Sequence, residues 1–188
     1  MPELLRGQFL IAARHLKDPN FFQAVVLIVE HSSSGAMGVV VNRPSGVTVA
    51  QSLKNHFDLP ESGEMVYVGG PVERNALFIL HDAADLDTSE NPVVEGLFVG
   101  GSPEMFESII RRAADGDEAL HFRVYFGCAG WGADQLEGEL ARNDWLVLPA
   151  LAEYVFQGDP YELWEQMVAL HRRANPLVRD TMFDPELN

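Results

Sequence analysis

The sequence predicts a mixed α/β fold of the α+β class, and three observations predict it. Apolar segments of strand length recur through the chain, several segments carry helix caps with 3.6-residue periodicity, and the N-terminal strands are joined by a turn too short for a crossover helix. A hairpin next to strand–helix units requires a mixed sheet rather than a doubly wound parallel one.

Gly7–Ala13 and Val25–His31 read as strands, the second so apolar that both of its faces are buried. Between them Asp18-Pro19 opens a short turn or helix, because proline is pre-set for a first helical position behind an aspartate cap. His31-Ser-Ser-Ser-Gly35 is a turn and Ala36–Asn42 returns as a strand, which makes the hairpin; Asn42-Arg43-Pro44-Ser45-Gly46 ends it. Thr48 caps a helix running through His56, with Val49, Leu53 and Phe57 along one face. Met65–Val68, Leu77–His81, Val93–Val99 and His121–Gly127 follow as strands. Ser102–Ala114 is the clearest helix: Ser102 caps it, Pro103 takes the first turn, Met105, Phe106, Ile109, Ile110 and Ala113 form its apolar stripe, and Gly116 stops it. Asp159-Pro160-x-Glu162 opens a last long helix with Leu163, Trp164, Met167 and Val168 facing the core. One domain spans 1–175, and 176–188 form a loosely held tail.

Of the 188 residues, 47% are hydrophobic and 22% charged, proportions that suit a packed core. The longest apolar run, Ala24–Val29, is far short of the roughly 20 residues a membrane helix needs, and arginines interrupt the apolar N-terminal stretch. A single cysteine, Cys128, excludes an internal disulfide and fits a reducing compartment; the expected location is cytoplasmic. Net charge is −15 and unevenly placed. Residues 1–81 hold 6 basic and 7 acidic side chains, a net of −1, whereas 82–188 hold 7 and 21, a net of −14. Such a field repels phosphate backbones and leaves the N-terminal half as the place for an anionic ligand.

Motifs for chemistry are scarce. Val66–Pro71 and Leu97–Pro103 each end an apolar strand in Gly-Gly, which permits a sharp reversal or close ligand approach, but neither matches a phosphate-loop or dinucleotide fingerprint. Gly127–Glu137 reads as strand, glycine-rich turn and helix; Asp134 and Glu137 at the helix start disfavour phosphate there. Trp131 suits a packed turn or a pocket wall, and Cys128 is expected to be structural. The six histidines show no metal-ligand spacing, and neither a metal nor a cofactor is expected.

In combination these segments resemble the YqgE/AlgH family of bacterial proteins. The matching stretches are Gly7–Ala12, Asp18–Phe21, Glu30-His31, Gly35–Pro44, Val68–Val72, the strand ending in His81, and Gly130-Trp131 with Gln135–Glu137, Glu139-Leu140 and Trp145. The resemblance implies mixed sheets forking around a small barrel-like core with helices packed outside. It carries no established enzymatic activity, although one branch bears the label of transcriptional regulator of exopolysaccharide synthesis. Where this chain has Cys128 the family pattern usually has tyrosine, so a role common to the family cannot depend on a thiol there.

The expected function is therefore a non-catalytic module binding a small molecule or a protein, with an indirect regulatory role. The candidate contacts are His31, Asn42, Arg43, Gly69, Gly70, Trp131 and Gln135. Arg43 supplies charge, the glycines supply backbone donors, and Trp131 supplies a stacking face. The competing readings are direct transcriptional regulation and a hydrolase using His31 or His81 as base. Arg43→Ala is expected to change stability little, since an exposed pair with a surface carboxylate is worth only about 0–1 kcal/mol, and to abolish binding of an anionic ligand.

The charge distribution generates the first prediction. The protein should show no micromolar binding to duplex DNA at physiological salt in fluorescence anisotropy, and a tight, steeply salt-dependent isotherm would contradict this reading.

Overall fold

The computed structural model describes residues 5–60, 63–86, 91–100 and 102–176. Its strands are β1 (Gln8–Ala12), β2 (Val25–Ser32), β3 (Gly35–Val40), β4 (Pro44–Thr48), β5 (Met65–Val68), β6 (Val72–His81), β7 (Phe98–Val99), β8 (Phe122–Gly132) and β9 (Trp145–Pro149). Its helices are α1 (Val49–Leu53), α2 (Pro103–Ala114), α3 (Gln135–Ala141), α4 (Ala152–Phe156) and α5 (Leu163–Ala174).

One long strand organises these elements. The C-terminal part of β8 pairs with β3, Gly35 opposite Gly132 through Gly38 opposite Ala129. Its N-terminal part lies between β5, paired parallel at Tyr67–Tyr125, and β6, paired antiparallel from Leu77–Phe126 to His81–Phe122. The sheet therefore forks along β8. One branch continues β3-β2-β1-β9, and the other carries β4-β5 with β6-β7 on the far side of β8. The segment 35–48 changes partner at the fork: β3 runs on β8, Val40 N–H donates to the Gly69 carbonyl, and β4 runs on β5.

Gly127 is the hinge of the fork. Its φ of +69° is left-handed, where a side chain is disfavoured, and a bulge inserts there. Side-chain parity reverses across it. Before the bend Tyr125 points into the central core and Val124 away from it; after the bend Cys128 points into that core while Ala129 and Trp131 face the other way. A single strand can in this way belong to two sheets that diverge.

The fork creates three apolar layers. The central one takes Phe9, Ile11, Val25, Leu27, Tyr67, Leu80 and Tyr125 from the strands and is closed by Val155, Leu163, Trp164 and Met167 of α4 and α5. Behind the β1–β2–β3 branch, Leu10, Val26, Ile28 and Val40 pack with Leu136, Trp131 and Trp145. Behind the other branch, Val66, Ile79 and Val124 pack on Val49 and Leu53 of α1 and on Ile109 and Ile110 of α2. Alternate residues of β1 and β2 serve different layers, which explains their continuous hydrophobicity.

The α+β mixed sheet and its fork agree with expectation, but the sheet does not close into a barrel: β4 and β9 stand at the two ends of the hydrogen-bonded order. Thr48 does cap α1, with a full capping box to Gln51, but the helix stops at Leu53 rather than His56. Val93–Val99 shrinks to Phe98–Val99, because Val94 and Leu97 close a turn. The expected glycine-rich turn after Gly127 is strand, since small residues there let β8 lie close to β3 and β6. Asp159 starts a turn and not the helix itself, and α5 begins at Leu163 without a side-chain cap. β4, β9 and α4 are elements the local pattern does not single out. Of the expected tail, 177–188 lies outside the described residues, as does Gly101 of the second glycine pair.

The fork makes Gly69 irreplaceable. A Cβ there would stand 2.3 Å from the Gly127 carbonyl oxygen, and one at Gly70 2.2 Å from that of Cys128. Gly69→Ala should cost about 2 kcal/mol or more in urea unfolding, against no more than about 0.5 for Gly63→Ala, whose Cβ would meet open space. Equal costs for the two would refute the close-approach account.

Candidate functional site

The corner Asn42-Arg43-Pro44 lies where segment 35–48 passes from β8 to β5, and it pins the loop that joins β1 to β2. Asn42 Oδ1 accepts from Val25 N–H at 2.8 Å and its Nδ2 donates to the Gln23 carbonyl at 2.9 Å. Arg43 donates from Nη1 to the Asn20 carbonyl and from Nη2 to the Phe22 carbonyl, the latter at 2.8 Å. These bonds saturate a turn whose other groups close on Asp18, through Phe21 N–H, Phe22 N–H and Asn20 N–H. Gln23 is held at φ +52°, a left-handed conformation costing about 1–3 kcal/mol for a residue with a side chain.

Beside this staple opens a cleft of about 430 Å³. Phe22, Gln23, Asn42, Arg43, Pro44 and Val68 line it together with Pro160, Tyr161, Trp164 and Glu165 from far along the chain. Three of its lining side chains are apolar or aromatic and exposed: Tyr161 is 82% exposed, Phe22 52% and Val68 40%. Trp164 forms a fixed back wall, its ring buried and its Nε1–H donating to the Ala12 carbonyl at 2.8 Å. Arg14 lies over that ring at 4.9 Å and makes a two-pronged ion pair with Glu165, at 2.8 and 3.3 Å. Burial pushes the Arg43 guanidinium pKa down, partly offset by the Asp18 charge. Among the described residues Arg43 forms no direct carboxylate ion pair, and the Asp18 charge acts on it through space.

Of the seven residues singled out from the sequence, the fold joins some and separates others. Asn42 and Arg43 line the cleft, and the Asn42–Pro44 corner meets the end of β5, where Val68 N–H donates to the Arg43 carbonyl at 2.8 Å. Gly69 and Gly70 are buried, however, and the Gly69 N–H is spent on the Phe126 carbonyl, so they shape the fork and do not present donors to a ligand. His31, Trp131 and Gln135 belong instead to the α3 side. Trp131 and Trp145 both donate to Glu139 Oε2, at 2.9 and 2.8 Å; Gln135 donates to Glu139 Oε1 and accepts from Gly132 N–H. Phe21 stacks on Trp131, with centroids 5.9 Å apart. His31 Nδ1 accepts from Leu5 N–H and Nε2 lies 2.9 Å from Glu137 Oε1, so the imidazole ties the N-terminal segment to α3. His81 is fully buried, with Nδ1 accepting from Ala83 N–H and the ring stacked on Phe98. Neither histidine is presented to a substrate as a base would be.

Arg43 also proves more structural than expected. It pairs with no surface carboxylate but holds two carbonyls, so Arg43→Ala carries a stability cost that exposed ion pairs do not. Of the lining residues the sequence suggested only Asn42 and Arg43 as contacts; Phe22, Val68, Tyr161 and Glu165 are among those it did not. Adjacent Phe21 and Phe22 held one clue, because a tight turn sends consecutive side chains in different directions. Nothing local connects Tyr161 with Phe22.

A model of the AlgH-like family matches residues 9–174. The chain belongs to the AlgH-like family. It is 40% identical over 167 residues to a UPF0301 protein of Thioalkalivibrio sulfidiphilus, covering 87% of each chain. It is 39% identical over 168 residues to a UPF0301 protein of Stenotrophomonas maltophilia, again covering 87% of each. The solution structure of the AlgH protein from Pseudomonas aeruginosa superposes with a TM-score of 0.69 at 33% identity, covering 98% of both chains. The crystal structure of protein DIP2367 from Corynebacterium diphtheriae gives 0.70 at 26% identity, covering 91% of this chain and 87% of that one. For this AlgH-like protein the likeness carries the family and the forked fold, not a reaction. No helix among the described residues is long and apolar enough to cross a membrane, and no group of three or more potential metal ligands gathers among them.

Cys128 sits in the central core, 3% exposed. Burial, with the nearby Glu73 charge, pushes its thiol pKa up, so little thiolate forms near neutral pH. Ellman's reagent at pH 8 should therefore label the folded AlgH-like protein far more slowly than the urea-unfolded chain. Labelling of the two at similar rates would mean that the thiol is exposed and reactive.

Proposed function

We propose that this protein is a non-catalytic binding module that seats its ligand in the cleft beside Arg43. The observation that carries the reading is the convergence, in one cleft, of a cation without a direct carboxylate ion pair and three exposed apolar side chains, Phe22, Val68 and Tyr161. Exposing those apolar groups has no benefit to the isolated fold, and the same cleft holds the left-handed Gln23; strain of this kind concentrates at ligand clamps. Catalysis is the weaker reading. None of the lining residues is a histidine, serine or cysteine, and the carboxylate present, Glu165, is engaged by Arg14. A regulatory role of the kind the resemblance carries would act through an occupied cleft and not through direct contact with DNA.

A thermal-shift screen of metabolites and nucleotides tests this. A ligand present at 100 times its Kd should stabilise the fold by about 2.7 kcal/mol, an upward Tm shift of about 5–10 °C. Arg43→Ala should lower stability by about 1–2 kcal/mol through loss of the loop staple, and it should abolish the shift given by an anionic ligand. Tyr161→Ser should leave the melting point of the free protein unchanged and reduce the ligand-induced shift. A ligand whose shift survives both substitutions binds elsewhere, and the cleft would then lose its assigned role.

A further inference from the structure

We infer that the cleft selects a small monoanionic carboxylate carried on a flat apolar body, an aromatic carboxylic acid, over a phosphate ester of the same shape. This rests on the binding reading above and names its ligand class.

The donor inventory leads to the carboxylate. Arg43 has five N–H donors, of which the Asn20 and Phe22 carbonyls take two; three remain, in a plane that those carbonyls fix. A planar, two-oxygen monoanion matches the donor spacing of a guanidinium, and a guanidinium already held by two carbonyls has less orientational freedom to lose on meeting it. A phosphate dianion asks for more donors and more charge. Phosphate sites usually add several backbone N–H groups, and on these walls three are already committed: Val68 N–H to the Arg43 carbonyl, Phe22 N–H to the Asp18 carbonyl and Tyr161 N–H to the Asp159 carboxylate. Among the described residues a second cation is also lacking on the walls. The neighbouring Arg14 is neutralised by Glu165, so the second phosphate charge would stand uncompensated near Glu165 and Asp18.

The apolar body follows from the lips. Exposed Phe22 and Tyr161 line the cleft together with Val68, Pro44 and Pro160, and the buried Trp164 ring completes the lining. Rings offer a flat ligand stacking and burial together. The volume of about 430 Å³ falls within the roughly 300–1,000 Å³ typical of small-molecule sites.

A chain terminus could supply the same carboxylate, but it would gain little backbone pairing here. The strand leaving the cleft, β4, begins at Pro44, which has no N–H, and contains Gly46 at φ +81°. Its ladder to β5 is already irregular between Pro44 and Thr48. An edge of this kind does not accept an added strand, so the small molecule is the occupant.

The test uses the whole protein, labelled with ¹⁵N, and four probes: phenylacetate, phenylacetamide, benzylphosphonate and the tripeptide Ala-Ala-Phe. Phenylacetate should shift the amides of residues 22–23, 43, 68 and 161–165, and it should bind at least tenfold more tightly than the amide or the phosphonate. Arg43→Lys keeps a positive charge but not the fork, and should weaken phenylacetate at least tenfold. Tyr161→Ser, at a residue 82% exposed, guards against a folding artefact and should weaken it severalfold. Benzylphosphonate binding in the cleft as tightly as phenylacetate would overturn the carboxylate class while leaving the cleft a binding site. Tighter binding of Ala-Ala-Phe would overturn the small-molecule assignment. If none of the four probes moves these amides, the carboxylate inference falls; if the screened ligands also leave them unmoved, the binding reading falls with it.

Discussion

Three glycine positions in van der Waals contact hold this architecture together. Gly69 and Gly70 come from the end of β5 and Gly127 from the bend of β8, and the carbonyls of one segment occupy the space where side chains of the other would stand. Only backbone can approach backbone so closely. Because they meet, β5 wedges between β3 and β8, the sheet divides, and a shared core forms between the branches with a further layer behind each. The layers need different coverings: α4 and α5 close the central one, α3 the second, and α1 with α2 the third.

The cleft is a by-product of the same division. Where segment 35–48 changes partner it must turn, and the turn brings Asn42 and Arg43 beside the β1–β2 loop. Their side chains satisfy that loop's carbonyls, so the loop keeps Phe21 inward on Trp131 and Phe22 outward on the cleft lip. The second wall arrives from far along the chain with the turn before α5, anchored by the Trp164 indole on β1 and by the Arg14–Glu165 pair. Rigidity on both sides is what a site needs in order to distinguish ligands by shape and charge.

The rest of the polar interior does structural work. Glu139 takes two indole N–H groups, a geometry that locks Trp131 and Trp145 behind the sheet and holds α3 to it. His31 performs a similar service for the N-terminal segment. These residues drew attention in the sequence because polar and aromatic types stand out among apolar neighbours, but what they meet is each other.

By itself the sequence determined the strands with continuous apolar runs, the β2–β3 hairpin, the capped starts of α1 and α2 and the core stripe of α5. Each of these rests on interactions within a few residues, where periodicity and caps are sufficient. The family resemblance further implied that the sheets fork. Only the tertiary structure decided that the Gly127–Gly132 stretch is strand and not turn, since its extended form depends on β3 and β6 lying alongside it. It alone decided that Gly69 and Gly70 are packing contacts, that Arg43 holds carbonyls rather than a carboxylate, and that Phe22 and Tyr161, separated by most of the chain, face one cleft. Those outcomes depend on which backbone segments come together across long sequence separations, and no local pattern of residues encodes that meeting.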